Sequence, residues 1–185
     1  MNIGTSRWLA LILMVFAFWG CGETWNSTNN VSDRVQASQA LINPKQVGAS
    51  DYGSQCLSCH GARGLGQEAL QAPALTSLDP VYIGRQLRHF RDGVRGAHPE
   101  DTHGSIMAAS SVGLSDSSIA DLAGYIDALP NALPVATIKG DIAQGKDYHL
   151  NLCSACHGSN ALGNVALEAP ALAGLNDWYV LSQYE

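Results

Sequence analysis

Two short stretches hold the residues best suited to chemistry, "CLSCH" from Cys56 to His60 and "CSACH" from Cys153 to His157. Each places two thiols three positions apart and an imidazole directly after the second. Thiols held in one turn can add to the two vinyl groups of a haem. The following histidine then lies under the iron, which is the c-type haem attachment pattern. Covalent attachment suits a small domain that cannot enclose a whole porphyrin by packing alone. The competing chemistries for a CxxC pair are a zinc half-site and a thioredoxin-type redox pair. A zinc ribbon brings its pairs within roughly 15–20 residues, whereas these lie 97 apart. A thioredoxin motif needs a βαβ pattern, and the sequence shows none. Two haems c are therefore expected, one per CxxCH. Cys56, Cys59, Cys153 and Cys156 are the attachment points, and His60 and His157 the iron ligands.

An iron that only carries electrons needs a ligand on its other face as well. Three methionines are present, Met1, Met14 and Met107. The first two fall in the N-terminal segment that reads as an export signal, so Met107, in "HGSIMAASSVGLSD", is the candidate for the first haem. It is expected in a loop before the last helix of its module. A thioether is a soft ligand that raises the potential, although a lone methionine is also a common core filler. His89, His98 and His103 are the rival ligands, His89 on a helix and the others in a polar loop. Pro73 and Pro170 each follow a haem histidine by 13 residues. A backbone carbonyl there could accept the hydrogen bond of the free ring nitrogen. The alternative is a plain turn after the haem loop.

The elements that must position these residues repeat. Shifting the chain by 97 residues lays Cys56, Cys59, His60 and Gly61 on Cys153, Cys156, His157 and Gly158. Gly66 falls on Gly163, and Ala72-Pro73-Ala74-Leu75 on Ala169-Pro170-Ala171-Leu172. The chain thus holds one module and the start of another. In the first, a short helix from about Lys45 leads into Cys56. "SLDPVYIGRQLRHFRDG" reads as a helix with Asp79 as cap, Pro80 at the first position and Gly93 as stop. Ile83, Leu87, Phe90 and Val94 form its core stripe. "LSDSSIADLAGYIDALP" reads as a second helix, capped by Ser115, with Ile119, Leu122, Ile126 and Leu129 facing inward and Pro130 ending it. No segment makes a convincing strand. The fold class is all-α, with tandem domains at 45–130 and 140–185 joined by a linker at 131–139.

The N-terminus reads differently. Arg7 precedes "WLALILMVFAFWG", thirteen residues without a charge, and then Cys21. This is an export signal over residues 1–21, too short for a comfortable membrane span. Cys21 directly after Gly20 fits lipoprotein processing, although Trp19 is bulky for that site. Plain signal cleavage, an uncleaved anchor and a buried N-terminal core helix are the alternatives. Four of five cysteines form the CxxC pairs and leave Cys21 over, which acylation would explain. The polar stretch 22–44 suits a flexible tether. The formal net charge is −6 with no basic patch, so nucleic acid is not a partner.

The motifs "CLSCHGARGLG", "APAL", "YIGRQLRHFRDGVRG", "SIM" and "LSDSSIADLAGYIDALP" resemble the class I cytochromes c. They are most similar to the dihaem, c-four type with tandem domains. The resemblance implies all-α haem domains that pass electrons through the periplasm, to partners such as a terminal oxidase, a reductase or a dehydrogenase. It implies a first site of Cys56, Cys59, His60 and Met107, and the covalent half of a second at Cys153, Cys156 and His157. It also implies close packing of Gly48 and Gly145 in the N-terminal helices, with Tyr125 the partner aromatic in the first module. The position equivalent to Met107 would be 204, past Glu185. The second domain is accordingly expected to be truncated by roughly 40–50 residues of what such a domain needs to bury its core. Electron transfer rather than catalysis is the expected function. The alternative is a peroxidase-like haem enzyme or a gas sensor with an open second haem.

Overall fold

The computed structural model describes residues 44–184. The expected export segment, Cys21 and nearly all of the tether lie outside the described residues.

Helix α1 (Pro44–Asp51) runs into a π-helical turn (Tyr52–Cys56) and then α2 (Leu57–His60), which carries the first haem motif. The expected helix leading into Cys56 is present, with its hydrogen bonding widened over the last turn. A 3-10 turn follows at Glu68–Leu70. Helix α3 (Pro80–Arg91) starts where the sequence directs: the Asp79 carboxylate accepts from the Val81 and Tyr82 amides. Asp92 caps its end, and Gly93 reverses the chain at φ 71°. Helix α4 spans Thr102–Ser111, and α5 spans Asp116–Asp127, with the Ser115 hydroxyl capping the Ser118 amide. The ion pairs Arg91–Asp116 (2.8 Å) and Arg88–Asp116 (3.6 Å) tie α3 to the start of α5.

The core lies where α1, α3 and α5 meet. Tyr52, Ile83, Leu114, Ile119, Leu122 and Ile126 are buried there, with Leu87 and Leu129 packed at its edge. Gly48 lets α1 and α5 touch. A Cβ at Gly48 would run into the Asp121 carbonyl and come within 2.8 Å of the Tyr125 Cβ.

Four expectations are corrected. Met107 lies on helix α4, not in a loop, and so does His103. Val94 is 68% exposed, because it follows Gly93 and has left the α3 stripe. Among the described residues a Cβ at Gly145 would meet nothing within 4 Å.

The second stretch repeats the order of the first. Helix α6 (Ile142–Tyr148), capped by Asp141, enters a π-helical turn (His149–Cys153) and then α7 (Ser154–His157). A 3-10 turn (Val165–Leu167) and α8 (Asp177–Ser182) follow. Among the described residues there is no strand. Isolated bridges join Gln67 to Ala72 and Asn164 to Ala169. The linker is held by Asp177, whose carboxylate accepts from the Thr137 and Ile138 amides, both at 2.7 Å. No helix of the described residues is long and apolar enough to cross a membrane.

The two stretches also contact each other. The Asn176 side chain is buried and accepts from the Ala74 amide at 2.6 Å. The Ser77 hydroxyl donates to the Gly174 carbonyl, and Arg85 pairs with the Glu168 carboxylate at 2.5 Å.

Candidate functional site

The π turn and α2 bring Cys56, Cys59 and His60 onto one turn of chain. Both thiols are half-buried and unpaired. Burial, with Asp51 and Cys59 adding to it, pushes the Cys56 thiol up to about 11. The loop after His60 depends on Gly66, which sits at φ 76° with the Pro73 carbonyl carbon 2.6 Å from where a Cβ would stand. That close approach carries the chain back over His60. The Pro73 carbonyl lies 2.8 Å from His60 Nδ1. A carbonyl only accepts, so Nδ1 is the protonated nitrogen and Nε2 keeps its lone pair. His60 is 4% exposed. Burial holds its pKa below the ordinary value and outweighs the Pro73 bond that raises it. A neutral imidazole with a free Nε2 is the form that ligates a metal.

His60 and Cys56 line a cavity of about 680 Å³ that Met107 also lines. Its walls are largely apolar, with Leu75, Ile83, Leu87, Phe90, Leu122 and Ile126 among them. A cavity of that size, with the Cys56 thiol, an oriented imidazole and a thioether at its surface, fits a covalently attached haem. The rival histidines are not equal. His98 and His103 reach the cavity lining, whereas His89 does not. The wall is completed from the second stretch by Trp178, Tyr179, Ser182 and Gln183.

The second motif has the same local geometry. Gly163 is at φ 84°, and the Pro170 carbonyl lies 2.8 Å from His157 Nδ1. The expectation about the two prolines describes the geometry at both sites. Cys153 is half-buried and Cys156 exposed, and both thiols are unpaired. The two CxxC pairs do not converge: among the described residues no three His, Cys, Asp or Glu side chains gather as a metal-ion site.

One paired feature escaped sequence reasoning. The Tyr52 hydroxyl donates to the Gly61 carbonyl at 2.6 Å. His149 Nε2 does the same for Gly158 at 3.0 Å. The 97-residue shift places Tyr52 on His149 and Gly61 on Gly158, so the alignment held the signal, hidden by the change of residue type. The residues linking the two stretches, Asn176, Arg85 and Glu168, left no such signal. Arg85 falls in a recognised motif, but nothing in that motif or in the spacing of the three marks them as partners across the two stretches.

Comparison with known proteins agrees with this geometry. The family profile described as Cytochrome c matches residues 46–130. The thiosulfate dehydrogenase electron acceptor of Stutzerimonas stutzeri (strain A1501) is 31% identical over 163 residues, 83% of this chain and 72% of that protein. The Cbb3-type cytochrome c oxidase subunit FixP of Bradyrhizobium sp. (strain ORS 278) is 32% identical over 152 residues. That match covers 79% of this chain, which spans 50% of the FixP length. The solved structure of cytochrome c4 from Acidithiobacillus ferrooxidans superposes with a TM-score of 0.59 at 26% identity, over 70% of this chain and 78% of that one.

Proposed function

The chain belongs to the cytochrome c family, and from that premise we propose that it is a dihaem electron carrier serving a redox enzyme. Cys56 and Cys59 would hold one haem c covalently, and His60 and Met107 would ligate its iron. Cys153 and Cys156 would hold the other, with His157 as a ligand. The observation that carries this reading is the shared cavity: an imidazole fixed by Pro73 and the thioether of Met107 line one space.

Haem c bound there supplies a one-electron iron couple. The protein does the rest. Pro73 fixes the tautomer and ring plane of His60, the apolar wall keeps water away, and the Met107 sulfur favours the reduced iron. With His60 and Met107 both committed to its iron, the first haem would keep no open position for a substrate. The thiosulfate dehydrogenase acceptor and the oxidase subunit suggest the partner class, a dehydrogenase that delivers electrons or an oxidase that takes them. The acidic balance favours a positively charged docking face on that partner. Residues 1–21 would direct export to the periplasm, with Cys21 as a lipid anchor.

The test is haem content and axial ligation of the full chain made in a host with c-type maturation. Two covalent haems per chain are expected, and the first should stay low-spin and refuse carbon monoxide. A chain without covalent haem would overturn the reading. A first haem that binds carbon monoxide readily, or turns over peroxide, would move the assignment to an enzyme or sensor.

A further inference from the structure

The peptide group between Pro73 and Ala74 is engaged at both ends. Its carbonyl accepts from His60 Nδ1 at 2.8 Å. Its N–H donates to the Asn176 side-chain oxygen at 2.6 Å, across 102 residues of chain. An N–H can only donate, so the acceptor atom of Asn176 is its oxygen. The side-chain nitrogen of Asn176 reaches the Leu65 carbonyl at 3.5 Å, which favours the same orientation of the amide. Ala74, Asn176 and His60 are all buried. Removing the Asn176 oxygen would leave the Ala74 amide without a partner.

The 97-residue shift lays Asn176 on Asp79, and the two side chains act differently. Asp79 caps its own helix, accepting from the Val81 and Tyr82 amides. Asn176 stands at the same place before α8 and makes no side-chain bond to that helix. A side-chain cap stabilises a helix start, so α8 forgoes a local gain while the side chain serves the other stretch. The reverse contact is missing. Among the described residues the Asp79 carboxylate stays on α3 and makes no bond to the Ala171 amide, which follows Pro170 beside His157. The link runs one way, from the second stretch to the first histidine.

Hydrogen bonds that share a peptide group polarise one another. An acceptor on the Ala74 N–H shifts electron density onto the Pro73 oxygen. That oxygen then pulls harder on the His60 Nδ1 proton, and Nε2 becomes the stronger donor to a metal. We propose that Asn176 is a positioning residue for the first haem site: through the Pro73–Ala74 peptide it holds the His60 ring and raises the donor strength of Nε2. A stronger donor favours the oxidised iron, so Asn176 lowers the potential of the first haem. The second stretch thereby tunes the first site without touching its iron. The inference rests on the haem reading given above.

The test compares the full dihaem chain as wild type, Asn176→Leu and Asn176→Asp. Redox titration gives the two potentials, the first haem being the component missing from a Cys56→Ala/Cys59→Ala variant. Proton NMR of the reduced protein follows the His60 Nδ1 proton, and hydrogen exchange follows the Ala74 amide. Leucine is close to asparagine in size but offers no acceptor. Asn176→Leu should raise the potential of the first haem and move the His60 Nδ1 proton upfield. It should also speed exchange at Ala74 about tenfold, as loss of one hydrogen bond does. Asn176→Asp keeps the acceptor and adds charge, so the potential should fall and the proton move downfield. The second haem should shift less in both. Should Asn176→Leu fail to fold, Asn176→Asp decides alone by the same two readings. If covalent haem is present and neither the first potential nor the His60 proton moves, the proposal is overturned and the carrier reading stands. A potential that moves while the proton stays would make the effect one of general charge, which also overturns it. A loss of thermal stability alone would make Asn176 a structural link between the stretches and nothing more. A wild type without covalent haem would sink the underlying reading instead.

Discussion

His60 and His157 sit in the same local geometry and in different surroundings. Each donates from Nδ1 to a proline carbonyl 13 residues on, at 2.8 Å in both cases. Each is followed by a loop that turns on a glycine at positive φ and an isolated bridge. Yet His60 is 4% exposed and His157 is half-buried. The loop that orients the ring is written in the stretch from CxxCH to the Ala-Pro-Ala turn. Shielding the ring is a non-local matter. In the first stretch α5 packs across α1 and α3 and buries Tyr52, Ile83 and Leu122. Orientation of the ligand and burial of the ligand are thus separately encoded.

The strongest way to break this comparison is to remove the attachment thiols of one site at a time. Cys56→Ala/Cys59→Ala and Cys153→Ala/Cys156→Ala should each reduce haem content from two per chain to one. The first variant should also lose most of the cooperative thermal transition, because the haem proposed for that site would fill the cavity beside α3 and α5. The second should leave that transition largely in place. Covalent haem quantitation and melting followed by circular dichroism report both. Equal loss of structure in the two variants would show that burial around the first haem gives it no special structural weight.

A smaller effect separates the two N-terminal helices. A Cβ at Gly48 collides with backbone of α5, so Gly48→Ala should destabilise the first stretch by about 1–3 kcal/mol, as overpacking of a core does. Gly145 has open space around it. Gly145→Ala should be stabilising by about 0.5–1 kcal/mol through helix propensity alone. Denaturant titration of the two variants reads the difference. Opposite signs are expected, and a destabilising Gly145→Ala would mean that α6 is closely packed at that position.

Much of this was legible in the chain. Asp79, Pro80 and Ser115 mark helix starts because capping chemistry is local, and the apolar spacing of Ile119, Leu122 and Ile126 fixes the buried face of α5. The CxxCH pairs and the distance to each proline are likewise local. Helix α4 was not legible. Its sequence, "THGSIMAASS", has small polar residues on every face and no apolar period, so nothing distinguished it from a loop. It is a helix because Asp101 caps it and α3 packs beside it. The contacts between the two stretches were hidden for another reason. Polar pairs such as Asn176 with the Ala74 amide depend on two distant surfaces meeting, and no spacing within either stretch records that.

The exchange of Tyr52 for His149 gives the smallest and most discriminating effect. Both side chains donate to the carbonyl after a CxxCH histidine, but only Tyr52 lies in a closed core, 2% exposed and with its ring 5.3 Å from that of Tyr125. Burial, with Cys56 and Tyr125 adding to it, pushes the Tyr52 phenol up to about 12 from 10.0. Below pH 10 the phenol keeps its proton in both the folded and the unfolded chain, and its contribution is complete. Between pH 10 and about 12 the unfolded chain releases the proton while the folded one holds it, so stability falls as pH rises. Tyr52→Phe should lose about 1 kcal/mol at neutral pH with the bond to Gly61, and should flatten that alkaline decline. Tyr52→His installs the donor of the second stretch in the first. It should keep a bond to Gly61, lose the contact with Tyr125, and abolish the same decline, since an imidazole brings no phenol to ionise. Denaturant titrations at neutral pH and at pH 10 and above, read by circular dichroism, measure each term. An alkaline decline that survives in both variants would place the titrating group elsewhere, and Tyr52 and His149 would then differ only in how they fill space.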